Sequence, residues 1–199
     1  AQYFKLLNIV VYTKRDLDIF QEPLVKKIIL MLEYLASEHY IPYSGDEMLF
    51  EILHFDWFNI PSIEIATLTM EVADRKFTSK ATSLRQLLHE KAQEPPRDLF
   101  SKGLHVELKK ASAIIEKLIA KVPNVTLQHL FENIIREAGA LKVIMESPDK
   151  HWLLQVVTKL FEFLKEETHR DPELGVQQLV NIIDLMRREG IRLTLKQVS

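Results

Sequence analysis

A strongly apolar helix is predicted within the stretch Tyr12-Thr-Lys-Arg-Asp-Leu-Asp-Ile-Phe-Gln-Glu-Pro-Leu-Val-Lys-Lys-Ile-Ile-Leu-Met-Leu-Glu-Tyr-Leu35. Its apolar residues recur at steps of four, four and three, which is the spacing of one helix face: Leu24, Ile28, Leu32 and Leu35. Further apolar residues widen this face, so the helix is expected to be covered on most sides, at the centre of a bundle. Before it, the charged residues from Lys14 to Asp18 predict a turn, and Pro23 fits only the first turn of a helix.

Short polar residues, proline and glycine divide the rest of the chain into further predicted helices. The expected helix starts are Ser44, Ser83, Thr126, Ser147-Pro-Asp149 and Asp171-Pro-Glu173. The predicted helices cover about residues 20–39, 44–53, 61–72, 83–88, 104–122, 126–139, 147–164 and 171–190. β-Branched or alternating residues at 8–12 and 193–198 predict a short strand near each end. The predicted fold class is therefore all-α, a multi-helix bundle with short terminal β-strands.

The composition limits the number of domains and the kinds of function. With 199 residues, of which 47% are apolar, the chain can form one large domain over 1–199, with a possible subdomain boundary near 93–97. The net charge of −2 provides no global basic field, so any contact with nucleic acid would come from a local patch. Cysteine is absent, no apolar run is long enough to span a bilayer, and no secretory signal is evident. We therefore expect a cytoplasmic protein without membrane partners.

Catalytic motifs are not found in the sequence. The seven histidines are scattered, and no two have the i, i+4 spacing of a helical metal site. Neither a nucleophile elbow of the form Gly-x-Ser-x-Gly nor a phosphate-binding loop occurs. The sequence therefore predicts no catalytic residue, no metal site and no cofactor in this segment, and it favours a binding or regulatory module.

Local groups of cations are candidates for contacts with DNA phosphates. The three clusters are Lys14 with Arg15, Lys26 with Lys27, and Arg187 with Arg188 and Arg192. Acidic residues lie beside each cluster, so a solvated surface is the alternative interpretation of all three.

An aromatic segment is the other candidate for binding. Phe55, Trp57 and Phe58 have the flat rings that stack on a base or on a protein partner. The alternative is that these side chains pack the end of the helical bundle.

Two terminal segments carry a family resemblance. They are Asn8-Ile-Val-Val-Tyr-Thr-Lys-Arg-Asp-Leu-Asp-Ile-Phe-Gln-Glu-Pro-Leu-Val-Lys-Lys-Ile-Ile29, and Leu185-Met-Arg-Arg-Glu-Gly190 followed by 193–198. These segments resemble superfamily 1 DNA helicases of the UvrD/Rep/PcrA type and their RecB- and AddA-like relatives. In that family a short strand leads from the second RecA-like motor domain into an inserted helical domain, called 2B, and a long helix and a strand lead back. The family's Gly-Ile-Gly turn, which many members use to grip duplex DNA, has no match, since Phe58-Asn-Ile-Pro61 contains no glycine.

The resemblance implies that this chain is the inserted accessory domain of a longer protein, an ATP-dependent DNA helicase. The missing RecA-like motor would bind ATP and Mg²⁺, while this domain would touch the DNA backbone without reading sequence and control unwinding. Implied partners are DNA, the motor domains of the same chain and DNA repair proteins. The second hypothesis is a helical protein–protein interaction scaffold with no nucleic-acid role, and the third is a standalone enzyme.

Overall fold

A computed structural model describes residues 14–94 and 103–198. Within these ranges, nine α-helices account for most of the chain, which confirms the all-α fold class. The helices are α1 (Pro23–Tyr40), α2 (Asp46–Leu53), α3 (Ser62–Arg75), α4 (Leu84–Gln93), α5 (Val106–Lys121), α6 (Leu127–Glu137), α7 (Ala140–Glu146), α8 (Lys150–Arg170) and α9 (Val176–Arg188). Two strands, β1 (Lys14–Asp18) and β2 (Thr194–Val198), form a two-stranded sheet.

The two strands run antiparallel, with Lys14 opposite Val198 and Asp18 opposite Thr194. The strand predicted at 193–198 is confirmed, whereas the turn predicted from Lys14 to Asp18 is wrong because this segment is β1. Its charged residues suit a turn locally, but β2 supplies hydrogen-bonding partners that are distant in sequence. The strand predicted at 8–12 lies outside the described residues.

Asp18 fixes the point where the sheet ends and the helical body begins. Its carboxylate accepts hydrogen bonds from the backbone N–H of Phe20 at 3.1 Å and of Leu193 at 3.2 Å. The backbone N–H of Ile19 donates to the carbonyl oxygen of Leu193 at 2.9 Å. One short side chain therefore joins the end of β1 to the segment that leads into β2.

Helix α1 lies at the centre of the bundle, as its apolar pattern predicts. It contacts α2, α5, α6, α8 and α9. Its buried apolar side chains are Leu24, Val25, Ile28, Ile29, Met31, Leu32, Tyr34, Leu35 and Ala36. Burial of each large apolar side chain contributes about 1.5–3 kcal/mol to the hydrophobic term, so α1 is the main contributor to the core.

Helix starts agree with the sequence at some positions and differ at others. Ser83 and Thr126 cap α4 and α6, since their hydroxyl oxygens accept hydrogen bonds from the N–H groups of Gln86 and His129. The start predicted at Ser44 is wrong, because α2 begins at Asp46 and the Ser44 hydroxyl lies 2.7 Å from that of Ser37.

The helix predicted from Asp171 also begins later than expected. The Asp171 carboxylate accepts a hydrogen bond from the backbone N–H of Glu173 at 3.1 Å, which closes a turn. Helix α9 starts after Gly175 instead. The short helix α7 was not predicted; it begins after Gly139, whose φ of +97° is a left-handed conformation that glycine adopts without strain.

The two sides of the predicted boundary near 93–97 share one set of buried side chains. Helix α4 ends at Gln93 and packs against α5, which begins at Val106. The buried apolar cluster runs from Ile19 to Ile183 and includes residues of both sides. In the part of the chain that the structure describes, no helix is both long and apolar enough to cross a lipid bilayer.

Candidate functional site

The first basic cluster lies on the two-stranded sheet. Lys14 and Arg15 belong to β1, where they lie opposite Val198 and Gln197. Arg192, from the third cluster, is exposed in the segment that joins α9 to β2. Because Asp18 lies opposite Thr194, Arg192 lies near the Asp18 end of the sheet, about 13 Å along β1 from Lys14.

The two lysines of the second cluster have different surroundings in the first turns of α1. Lys26 is exposed to solvent. The Lys27 ammonium instead donates a hydrogen bond to the Asp56 carboxylate at 2.7 Å and lies 5.6 Å from the centre of the Phe55 ring. Lys27 is thus held by the protein itself, whereas the Lys26 ammonium is open to an anionic ligand.

The third cluster is tied to α1 by an ion pair. Arg187 lies 3.3 Å from the Glu33 carboxylate and 3.7 Å from that of Asp184. Burial raises the pKa of Glu33, and the nearby Arg187 guanidinium opposes this effect. Arg188 is exposed, with its Nε donating to the carbonyl oxygen of Asp184 at 3.4 Å.

The second and third clusters share a face of the molecule. Lys26 and Glu33 are seven residues apart on α1, which places them on one helix face about 10 Å apart along the axis. Since Glu33 holds Arg187, the last turn of α9 lies beside the same face as Lys26. Arg187 is exposed but paired with Glu33, whereas Lys26 and Arg188 are exposed and have no carboxylate partner among the described residues.

The three aromatic residues do not form an exposed stacking surface. Phe55 and Phe58 are 8% and 5% exposed, and only Trp57 is partly open to solvent. The rings of Phe55 and Trp57 meet edge to face, with centroids 5.0 Å apart. Packing at the end of the bundle, the alternative interpretation of this segment, therefore describes Phe55 and Phe58.

A buried ionic network is the main polar feature that the sequence analysis missed. Glu38 on α1 is 1% exposed, and its carboxylate accepts hydrogen bonds from the backbone N–H groups of Tyr43 and Gly45. The Arg85 guanidinium on α4 donates to Glu38 at 2.7 Å. It also forms a two-point contact with Glu116 on α5, at 2.8 and 2.7 Å.

This network joins three helices and a loop. The Arg85 guanidinium carbon lies 4.9 Å above the centre of the Tyr43 ring, and Tyr43 has a left-handed backbone with φ of +66°. A guanidinium shared by two carboxylates, with backbone donors around it, fixes the relative positions of these groups. We interpret it as a clamp that holds α1, α4 and α5 in register.

One signal in the sequence points to Glu38. Three residues after Leu35, it continues the apolar stripe of α1, so an acidic side chain there has to be buried with partners. Its partners have no comparable signal, since Arg85 is separated from Glu38 by 47 positions.

No group of three or more metal-ligating side chains occurs within residues 14–94 and 103–198.

Comparisons of the chain with models of protein families, with curated proteins and with solved structures found no match.

Proposed function

We propose that this chain is the helical accessory domain of an ATP-driven superfamily 1 DNA helicase of the UvrD/Rep type. The pairing of β1 with β2 carries the proposal, because an inserted domain leaves and rejoins its host through neighbouring segments. In this chain Lys14 lies opposite Val198, so the two segments are neighbours in this way. The resemblance of the two terminal segments to this helicase family is the second support.

In this role the helical bundle moves as a rigid body on its two-stranded connection. The motor domains of the same chain would supply ATP hydrolysis with Mg²⁺, and the bundle would bind the backbone of duplex DNA and so restrain or permit unwinding. The exposed cations Lys26, Arg188 and Arg192 are the side chains we assign to phosphate contacts. We also propose that the parent helicase acts in DNA repair and is cytoplasmic.

A salt titration with matched variants tests the DNA contact. Binding of fluorescent duplex DNA is measured over a range of salt concentrations for the wild type and for the triple variant K26A/R188A/R192A. Because each phosphate contact contributes a slope of about −0.9 to the dependence of log K on log salt, the triple variant should flatten the slope by about 2 to 3.

The control is K76A/K80A/R136A, which removes three exposed cations outside the clusters and changes the net charge equally. It should leave the slope close to that of the wild type. Equal losses in the two triple variants, or binding that does not depend on salt, would contradict the assignment of these residues.

The parent helicase is tested separately by sequencing the reading frame on both sides of the segment. We expect a phosphate-binding loop of the Gly-x-x-x-x-Gly-Lys-Ser/Thr type upstream and a further motor motif downstream. A complete frame without nucleotide-binding sequence would overturn the proposal.

A further inference from the structure

A groove with two tryptophan walls lies beside the first turn of α1. Trp57 from the aromatic segment and Trp152 from α8 line it together with the buried side chains of Leu24 and Ile144. Its volume of about 520 Å³ is in the range of sites that hold small ligands or a few residues of a peptide. The chain contains two tryptophans, and both line this groove.

Contacts with Gly139 and Phe55 fix the position of Trp57. The carbonyl oxygen of Trp57 lies 3.1 Å from the position that a Cβ at residue 139 would take, so glycine allows this close approach. The Phe55 ring supports the Trp57 ring edge to face. A preformed aromatic wall of this kind loses little conformational entropy when a ligand binds.

The charge around the groove is negative. Glu22, Asp56 and Asp149 line it together with one cation, Lys27. The Lys27 ammonium is bound to Asp56, which leaves Glu22 and Asp149 without a cationic partner among the described residues. A cation that enters the groove would meet two carboxylates and two indole rings, and the faces of such rings attract cations.

We propose that this groove binds a peptide segment of a partner protein in which an arginine lies next to an aromatic or large apolar side chain. The apolar side chain fills the space between Trp57 and Trp152, and the guanidinium binds the carboxylates of Glu22 and Asp149. The guanidinium suits this site because its planar donors match carboxylates and its face stacks on aromatic rings. The site is independent of the helicase proposal.

The same charges argue against a single-stranded nucleic acid as the occupant. Sites for single strands combine aromatic rings with cations that follow the phosphate backbone. Here the cation is neutralised by Asp56, and the two remaining carboxylates would repel phosphates.

Intrinsic fluorescence gives a direct test, since each tryptophan of the chain lines the groove. The protein is titrated with short blocked peptides whose centres are Arg-Phe, Glu-Phe or Arg-Gly in a glycine-serine background, and with oligothymidylate. We expect the Arg-Phe peptide to change the emission saturably. The Glu-Phe and Arg-Gly peptides should bind at least about tenfold more weakly, because each lacks one of the two contacts.

The variant E22Q/D149N removes both free charges and keeps side-chain shape, and asparagine remains a suitable helix cap at position 149. It should weaken binding of the Arg-Phe peptide by about tenfold, whereas E51Q/D74N, which neutralises two exposed carboxylates outside the groove, should not. No saturable response to the Arg-Phe peptide, equal affinity in both double variants, or tighter binding of oligothymidylate would overturn the proposal.

Discussion

The carboxylate of Glu38 accepts three hydrogen bonds in a site that is almost closed to water. Without this carboxylate the N–H groups of Tyr43 and Gly45 lose their acceptor, while Arg85 stays paired with Glu116; each buried donor left without a partner costs about 1–3 kcal/mol. We expect E38A to lower the free energy of unfolding by an amount in this range, measured by urea denaturation. The control E51A removes an exposed carboxylate on α2 and should change stability by less than about 0.5 kcal/mol. A loss as small in E38A as in E51A would show that the clamp contributes nothing.

Two acidic residues should change the pH dependence of stability in opposite directions. Burial opposes ionisation of Glu137, but hydrogen bonds from Lys121 and Lys117 prevail and lower its pKa. Since the folded pKa lies below the unfolded one, Glu137 stabilises the protein above the unfolded pKa and loses this effect as the pH falls through the folded pKa. Burial raises the pKa of Asp46, although the backbone N–H of Leu84 donates to it. Since the folded pKa lies above the unfolded one, ionised Asp46 destabilises the fold, and this effect develops as the pH rises from the unfolded pKa through the folded pKa.

Urea denaturation between pH 3 and 7 checks both signs. At neutral pH, E137Q should have an unfolding free energy up to about 1 kcal/mol below that of the wild type, a small loss because the ion pairs of Glu137 are partly exposed. In acid the two proteins should become equally stable. The unfolding free energy of D46N should increase relative to that of the wild type as the pH rises. Parallel pH profiles for the two variants would contradict the assignment.

At the residue scale, the sequence predicts burial better than it predicts partners. The stripe of α1 indicates that position 38 faces the core, because helical periodicity is a local property. Arg85 and Glu116 reach that position only through the packing of α4 and α5. Similarly, Lys26 and Lys27 are equivalent in the sequence, and only the position of Asp56 separates the exposed cation from the paired one.

At the scale of the elements, the two serines that the sequence predicts as caps should behave differently. S83A removes the acceptor for the N–H of Gln86 at the start of α4 and should cost about 1 kcal/mol of unfolding free energy. S44A removes a hydroxyl that caps no helix and should cost less than half of that. Thermal and urea unfolding of both variants measure the difference, and a larger loss in S44A would support the start predicted from sequence.

Periodicity predicted most of the helices because 3.6-residue spacing, proline and cap residues are recorded locally in the sequence. The errors lie where the decisive contact is distant or where two local signals compete. The segment Lys14–Asp18 becomes a strand only because β2 returns beside it. Asp171 closes a turn with its own side chain, so the helix begins at Val176, and α7 is too short for its periodicity to be recognised.

On the scale of the whole molecule, the shared core predicts one cooperative unfolding transition. Trp57 and Trp152 come from opposite sides of the boundary predicted near 93–97 and line one groove, so the fluorescence of each reports on packing across this boundary. Arg85 and Glu116 also form an ion pair across that boundary. We expect W57F and W152F to show the same urea midpoint by fluorescence of the remaining tryptophan as by circular dichroism. A fluorescence midpoint that differs from the circular-dichroism midpoint in either variant would contradict a single transition.

The antiparallel ribbon of β1 and β2 also places the first and last described residues of the chain side by side. Neighbouring strands run about 5 Å apart, and Lys14 stays level with Val198. If residues 14–198 were inserted into another protein, they would therefore need an opening no wider than the two ends of a β-hairpin. We therefore expect that residues 14–198 can be inserted into a surface turn of an unrelated protein without disturbing the core of that protein.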